Sequence, residues 1–153
     1  MSLASDMALL RNTPFFEGFS EEHLKLIAFS AESRSLPEGT VLYEEGQLVH
    51  SGYVIGSGAL EGVRKKGEGE ETRIIAPGEM LAERALLVEA RARETVRVTQ
   101  AATALQMRRP VFRRFLEEYP EIAAALRARI AARLGLAAAE YRRAGERLAG
   151  AGR

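Results

Sequence analysis

Pro77-Gly78-Glu79-Met80-Leu81-Ala82-Glu83-Arg84-Ala85-Leu86-Leu87 is a run of helix-forming residues set down where the chain otherwise reads as strand. Pro77-Gly78 turns the backbone, and Ala82 to Leu87 has the composition of a single helical turn. Thr72 to Ala76 before it reads as a strand, and Glu94 to Thr99 after it alternates apolar and polar residues. The start of a short helix presents backbone N–H groups that lack intrahelical partners, and such groups attract anions. Arg91 and Arg93 follow, Thr95 adds a hydroxyl, and the Glu83 carboxylate stands beside the same surface. That mixture suits a phosphate ester of a sugar. Amides and a guanidinium take the phosphate, and the carboxylate accepts a hydrogen bond from a ribose hydroxyl.

Working outward, the segments stay short and punctuated by glycine. Thr40 to Tyr43 reads as a strand ended by Glu45-Gly46, and Gly52 to Ile55 as a second, stopped by Gly56-Ser57-Gly58. Ala59 to Val63 begins a third, Lys65 to Glu71 is a charged hairpin tip, and Ala102 to Met107 is a last alternating strand. Strands at this spacing predict a sandwich or barrel. Helices flank it. A short one runs from a Ser5-Asp6 cap to Leu10, and Thr13-Pro14 interrupts it. Ser20 then caps a second, with Glu21 and Glu22 in its first turn, Leu24, Ile27 and Ala28 on one face and Phe19 stapling from outside. After Pro110, Val111 to Glu118 is helical up to Tyr119-Pro120. Glu121 to about Leu148 carries an apolar seam of Ile122, Leu126, Ile130, Leu134, Ala137 and Tyr141. The fold class is therefore α+β: an antiparallel β-roll (a double-stranded β-helix, or jelly roll) flanked by N-terminal and C-terminal helices. It forms one domain over 1–153, helical at 5–35, β-roll at 37–108 and helical again at 110–149.

The totals restrict the function. The chain has 153 residues, with 46% hydrophobic and 28% charged, enough for one packed domain. A formal charge of +1 gives no argument for broad attraction to nucleic acid, and acidic residues dilute the arginines after Glu121. With no cysteine, thiolate chemistry, disulfides and cysteine metal sites are excluded. The two histidines, His23 and His50, lie in a helix and a loop and form no metal-ligand pattern. Ser51, Ser57 and Thr40 have no histidine and acid arrangement that would make a nucleophile. No run reaches membrane-span length and no signal peptide precedes the domain, so a cytoplasmic binding module, not an enzyme, is expected.

Taken in order, Gly39-Thr40-Val41-Leu42, Glu45-Gly46-Gln47, Tyr53-Val54-Ile55 with Ser57-Gly58, and Pro77-Gly78 followed by Glu83 and Ala85-Leu86-Leu87 resemble the cyclic-nucleotide-binding family from about Leu10 to Leu134. The resemblance implies an eight-stranded roll with a phosphate-binding cassette between two strands. It implies a ligand such as cAMP or cGMP and no other cofactor. Within the cassette, the family's ribose-binding glutamate falls on Glu83, the glycine before it on Ala82, and the cassette helix on Ala85-Leu86-Leu87. The ligand set is then Leu81, Ala82, Glu83, Arg84, Ala85, Arg91, Ala92, Arg93, Glu94 and Thr95. The expected phosphate-binding arginine lies nine or ten positions after the glutamate, at Ala92 or Arg93, and alignment on Thr95-Val96 favours Ala92.

Three further departures bear on the ligand. Ala82 adds a methyl where the family leaves room, Arg84 puts a charge inside the cassette helix, and Glu94 places a carboxylate where a small residue is usual. A phosphate deprived of its arginine loses about 1.5–3 kcal/mol. Two readings stand beside each other. One is a stand-alone sensor domain, with Glu83 on a ribose hydroxyl and Arg93 or Arg91 on the phosphate. The other is a structural or dimerisation module with a degenerate cassette, in which Glu83 pairs with Arg84 or Arg93. The C-terminal seam resembles the helix that mediates dimers in the family's transcription-factor branch, so a homodimer through it is expected. The chain stops before a helix-turn-helix domain of roughly 70 residues could follow.

Overall fold

The computed structural model describes residues 2–128, which divide into two units, one ending at Phe115 and one beginning at Leu116. In the first unit the N-terminal helices are α1 (Leu3–Arg11) and α2 (Glu21–Ser30), with a 3₁₀ turn at Pro14–Phe16 between them. Helix α1 starts earlier than the Ser5-Asp6 cap predicts. Ser2 is its N-cap, and Ser5 is the third residue of a reciprocal capping box, its hydroxyl facing back to the Ser2 amide at 3.0 Å. Ser20 caps α2 as expected, accepting the His23 amide at 3.1 Å.

Eight antiparallel strands follow: β1 (Glu32–Leu36), β2 (Val41–Tyr43), β3 (Leu48–Val49), β4 (Ser51–Lys66), β5 (Gly69–Ile75), β6 (Met80–Leu81), β7 (Ala90–Arg91) and β8 (Thr95–Arg108). The main sheet runs β1-β8-β4-β5, with β2 added to β8 and β6 to β4; β3 and β7 pair separately. This is the expected α+β roll.

Three local expectations are corrected. Residues 32–35, expected in the helical stretch, belong instead with Leu36 to strand β1, because their backbone pairs with Ala102–Gln106 of β8. Only Leu36 of the five is buried, so the edge strand leaves no periodic trace in the sequence. Gly56-Ser57-Gly58 does not stop a strand: β4 continues for 16 residues, and its register against β8 shifts between Ile55 and Leu60. These are bulges, with Gly58 at φ 85° beside Ala101 and Ala102. For the same reason, Thr95 to Thr99 and Ala102 to Met107 belong to one strand, β8, and Glu94, expected at the start of the first, lies just before it.

The core lies between the strands, with Ile55, Leu60, Ile75, Val96, Val98 and Ala104 almost fully buried. Helix α3 (Arg109–Glu118) starts with Pro110 in its first turn, where a missing N–H costs nothing. Phe112 of α3 is buried, and its ring lies 6.0 Å from that of Phe15. In the second unit residues 120–128 are helical, with Ile122, Ala123 and Leu126 buried. The seam beyond 128, and with it the expected dimer helix and the C-terminal part of the single domain, lies outside the described residues. No helix among the described residues is long and apolar enough to cross a membrane.

Candidate functional site

The stretch from Pro77 to Leu87 is held in place by β4. The Gly78 amide donates to the Ile55 carbonyl at 2.7 Å, and the Ile55 amide donates to the Glu79 carbonyl at 3.0 Å. Strand β6 then pairs with Tyr53 and Val54. Ala82 follows with φ 56° and ψ 39°, the one described non-glycine residue in the left-handed region. This gives the methyl at 82 a physical cost. A side chain there is strained by about 1–2 kcal/mol, which glycine avoids.

A 3₁₀ turn, Glu83–Leu86, comes next, shorter than the Ala82–Leu87 turn read from composition. Its Ala85 amide is already bonded to the Ala82 carbonyl at 3.0 Å, so that amide is not available to an anion. Ala85 and Leu86 are fully buried, and Leu86 sits over Gly52 of β4, where a Cβ would come within 3.0 Å of it. The Ala-Leu-Leu run therefore anchors the turn on the roll. From there β7 pairs with β3, and the Ala92 amide donates to the Gln47 carbonyl at 2.8 Å.

These elements enclose a cavity of about 240 Å³. Nine of the ten residues read from the sequence line it: Leu81, Ala82, Glu83, Arg84 and Ala85 from the turn, and Arg91, Ala92, Arg93 and Glu94 from the approach to β8. Thr95 stands apart, its hydroxyl accepting the Glu45 amide at 3.0 Å. Arg91 is tied to the Gly46 carbonyl at 2.9 Å. Arg84 and Arg93 are exposed at the rim.

Sequence reasoning missed the residue that organises the charge. Arg73 of β5 lines the same cavity. Its Nε lies 3.0 and 2.9 Å from the two Glu94 carboxylate oxygens, and its Nη1 donates to Glu79 Oε2 at 3.0 Å. Arg73 pairs in register with Gly62 of β4, and Gly62 pairs in turn with Val96 of β8, so the guanidinium reaches Glu94 across a position with no side chain. A glycine inside a strand is a sign of close approach, and Gly62 was the available signal. Hydrogen bonding to Glu94 raises the Arg73 pKa, with burial opposing and Glu79 adding to the rise. Tyr43 forms another wall, and burial pushes its phenol well above the usual range, helped by the Glu94 charge. Among the described residues no cluster of histidine and acidic side chains is arranged to hold a metal.

An antiparallel roll with a short helical turn inserted beside a charged cavity defines the structural class. The model of the cyclic nucleotide-binding domain matches residues 33–119, and the chain belongs to that family. Among solved structures it is similar to a cyclic nucleotide-binding-like protein from Brucella abortus, at 33% identity and TM-score 0.67, covering 73% of this chain and 97% of that one. It is 26% identical to the cyclic AMP receptor protein of Thermus thermophilus over 82% of its length. It is 30% identical to the potassium channel KOR1 of Oryza sativa over 71%. The chain spans 59% of the first of these two proteins and 13% of the second.

Proposed function

We propose that this domain is a regulatory module of the cytoplasm, not an enzyme, whose cassette cavity binds a cyclic nucleotide or a similar phosphate-bearing ligand. One observation carries the reading. The cavity is lined by four arginines (Arg73, Arg84, Arg91 and Arg93) against two glutamates (Glu83 and Glu94), a surplus of two positive charges. A partly enclosed surface of that sign attracts an anion. In this arrangement Glu83 accepts a ribose hydroxyl and Arg93 meets the phosphate, the two roles that the cassette order assigns them.

Calorimetric titration with cAMP and cGMP tests the reading. Binding is expected, with thermal stabilisation of about 2.7 kcal/mol at a hundredfold excess of ligand over Kd. Glu83→Gln is expected to weaken it roughly ten- to hundredfold, the effect of losing a charge-assisted hydrogen bond. No heat and no thermal shift at millimolar ligand overturns the proposal.

A second reading has its own support. Ala92 stands where the family's arginine is expected, and an internal carboxylate already holds Arg73. A ligand-free interaction module follows from these two facts, and it predicts a stability indifferent to nucleotides.

A further inference from the structure

The cavity's most strongly bonded cation is not one of those in the cassette loop. Arg73 holds two carboxylates at once, Glu94 through Nε and Glu79 through Nη1. One positive charge facing two negative ones leaves the cluster with an excess anion. The two carboxylates are not equivalent. Glu79 is fixed twice, since its other oxygen lies 3.3 Å from the Ala76 amide. Glu94 is bonded in the described residues through Arg73, and its carboxylate occupies the gap over Gly62. The Glu94 side chain is only 17% exposed, while Arg73 is 47% exposed. If Glu94 swings away, Glu79 still holds the guanidinium at the cavity wall. The cavity as it stands, at about 240 Å³, is below the roughly 300–1,000 Å³ of typical ligand pockets. Moving the Glu94 carboxylate would both enlarge it and expose a pre-positioned cation.

Resting on the reading of this cavity as a site for a phosphate-bearing ligand, we propose that Glu94 is an internal stand-in for the ligand's phosphate: it occupies Arg73 in the empty site and yields it on binding, so that Arg73 supplies the charge missing at Ala92. Specificity follows from the exchange. A ligand must carry an anionic group able to replace a carboxylate on a guanidinium, with the bidentate geometry that phosphate and carboxylate share. A neutral nucleoside cannot drive it, since it has equal affinity for the paired and released states.

The full chain titrated with cAMP and adenosine tests this, using the wild type, Glu94→Gln, Arg73→Gln and the double variant. Glu94→Gln is expected to tighten cAMP about tenfold by removing the competing charge. Arg73→Gln is expected to weaken it at least tenfold, and the double variant is expected to show no gain from the change at 94. The Arg73 side-chain NH resonance, followed by NMR in the wild type, is expected to shift with cAMP and stay unmoved with adenosine. Equal affinity of wild type and Glu94→Gln, in a wild type that binds, overturns the exchange and leaves the proposed function standing. Silence of the wild type and Glu94→Gln alike at millimolar cAMP removes the proposed function and the exchange together. Binding by Glu94→Gln alone overturns both as stated, since a wild type that does not yield Arg73 to cAMP makes no exchange.

Discussion

Two glycines in β4, four residues apart, leave their Cβ positions empty for different reasons. At Gly58 an added Cβ would lie 2.4 Å from the Ala101 carbonyl oxygen and 2.5 Å from the Ala102 Cα. At Gly62 it would lie 2.3 Å from a carboxylate oxygen of Glu94. The first obstacle is backbone, held on both sides by the β4–β8 ladder. The second is the tip of a side chain with rotatable bonds. The roll is therefore built on contacts that cannot give way, and the cavity wall on one that can. A scaffold needs the first kind of contact, and a site that exchanges partners needs the second.

The largest expected effect lies at Gly58. Gly58→Ala combines a left-handed φ of 85°, which costs about 1–2 kcal/mol for an L side chain, with a clash that only backbone movement relieves. A total loss of about 4 kcal/mol, at the upper end of single substitutions, is expected from the midpoint of urea unfolding. A loss under about 1 kcal/mol would mean that the bulge rearranges easily and that the two glycines do not differ in kind.

How much of this could be read from the residues follows the same division. The cassette turn was readable because Pro77-Gly78, Ala85-Leu86-Leu87 and the positions from Arg91 to Glu94 are local signals. Their gathering round one cavity needs only the short β6 and β7 segments between them. Gly56-Ser57-Gly58 was misread as a strand end because a bulge and a turn use the same residues, and only the partner strand tells them apart. Of the role of Arg73 only a hint was readable, the glycine at 62 inside a strand. The role itself depends on the registers of β5 on β4 and β4 on β8, which bring residues 73, 62 and 94 side by side from distant parts of the chain. Ala82 lies between these cases: the departure from glycine was visible, but the φ that makes it costly was not.

Ala82→Gly is the next largest change. Relief of about 1–2 kcal/mol of left-handed strain is offset by about 0.4–1 kcal/mol from the greater freedom of glycine in the unfolded chain. A net gain of about 0.5–1 kcal/mol in urea unfolding is expected. The sign opposes that of Gly58→Ala, although both residues occupy the same region of backbone space. A destabilised Ala82→Gly would show that the turn is not left-handed at this position in solution.

The smallest effect on stability, and the sharpest test of the contrast, comes from Gly62→Ala. The new methyl needs the space of the Glu94 carboxylate, which leaves by rotation of its own side chain and breaks its contacts with Arg73. A partly exposed ion pair is worth at most about 1 kcal/mol. Replacing glycine inside a strand recovers about 0.5–1 kcal/mol of that. Unfolding free energy should therefore change by no more than about 0.5 kcal/mol, while the Arg73 side-chain NH loses its protection from solvent exchange. A cost near that of Gly58→Ala would show that the carboxylate is held as firmly as backbone, and the distinction between scaffold and yielding wall would then have no physical basis in this strand.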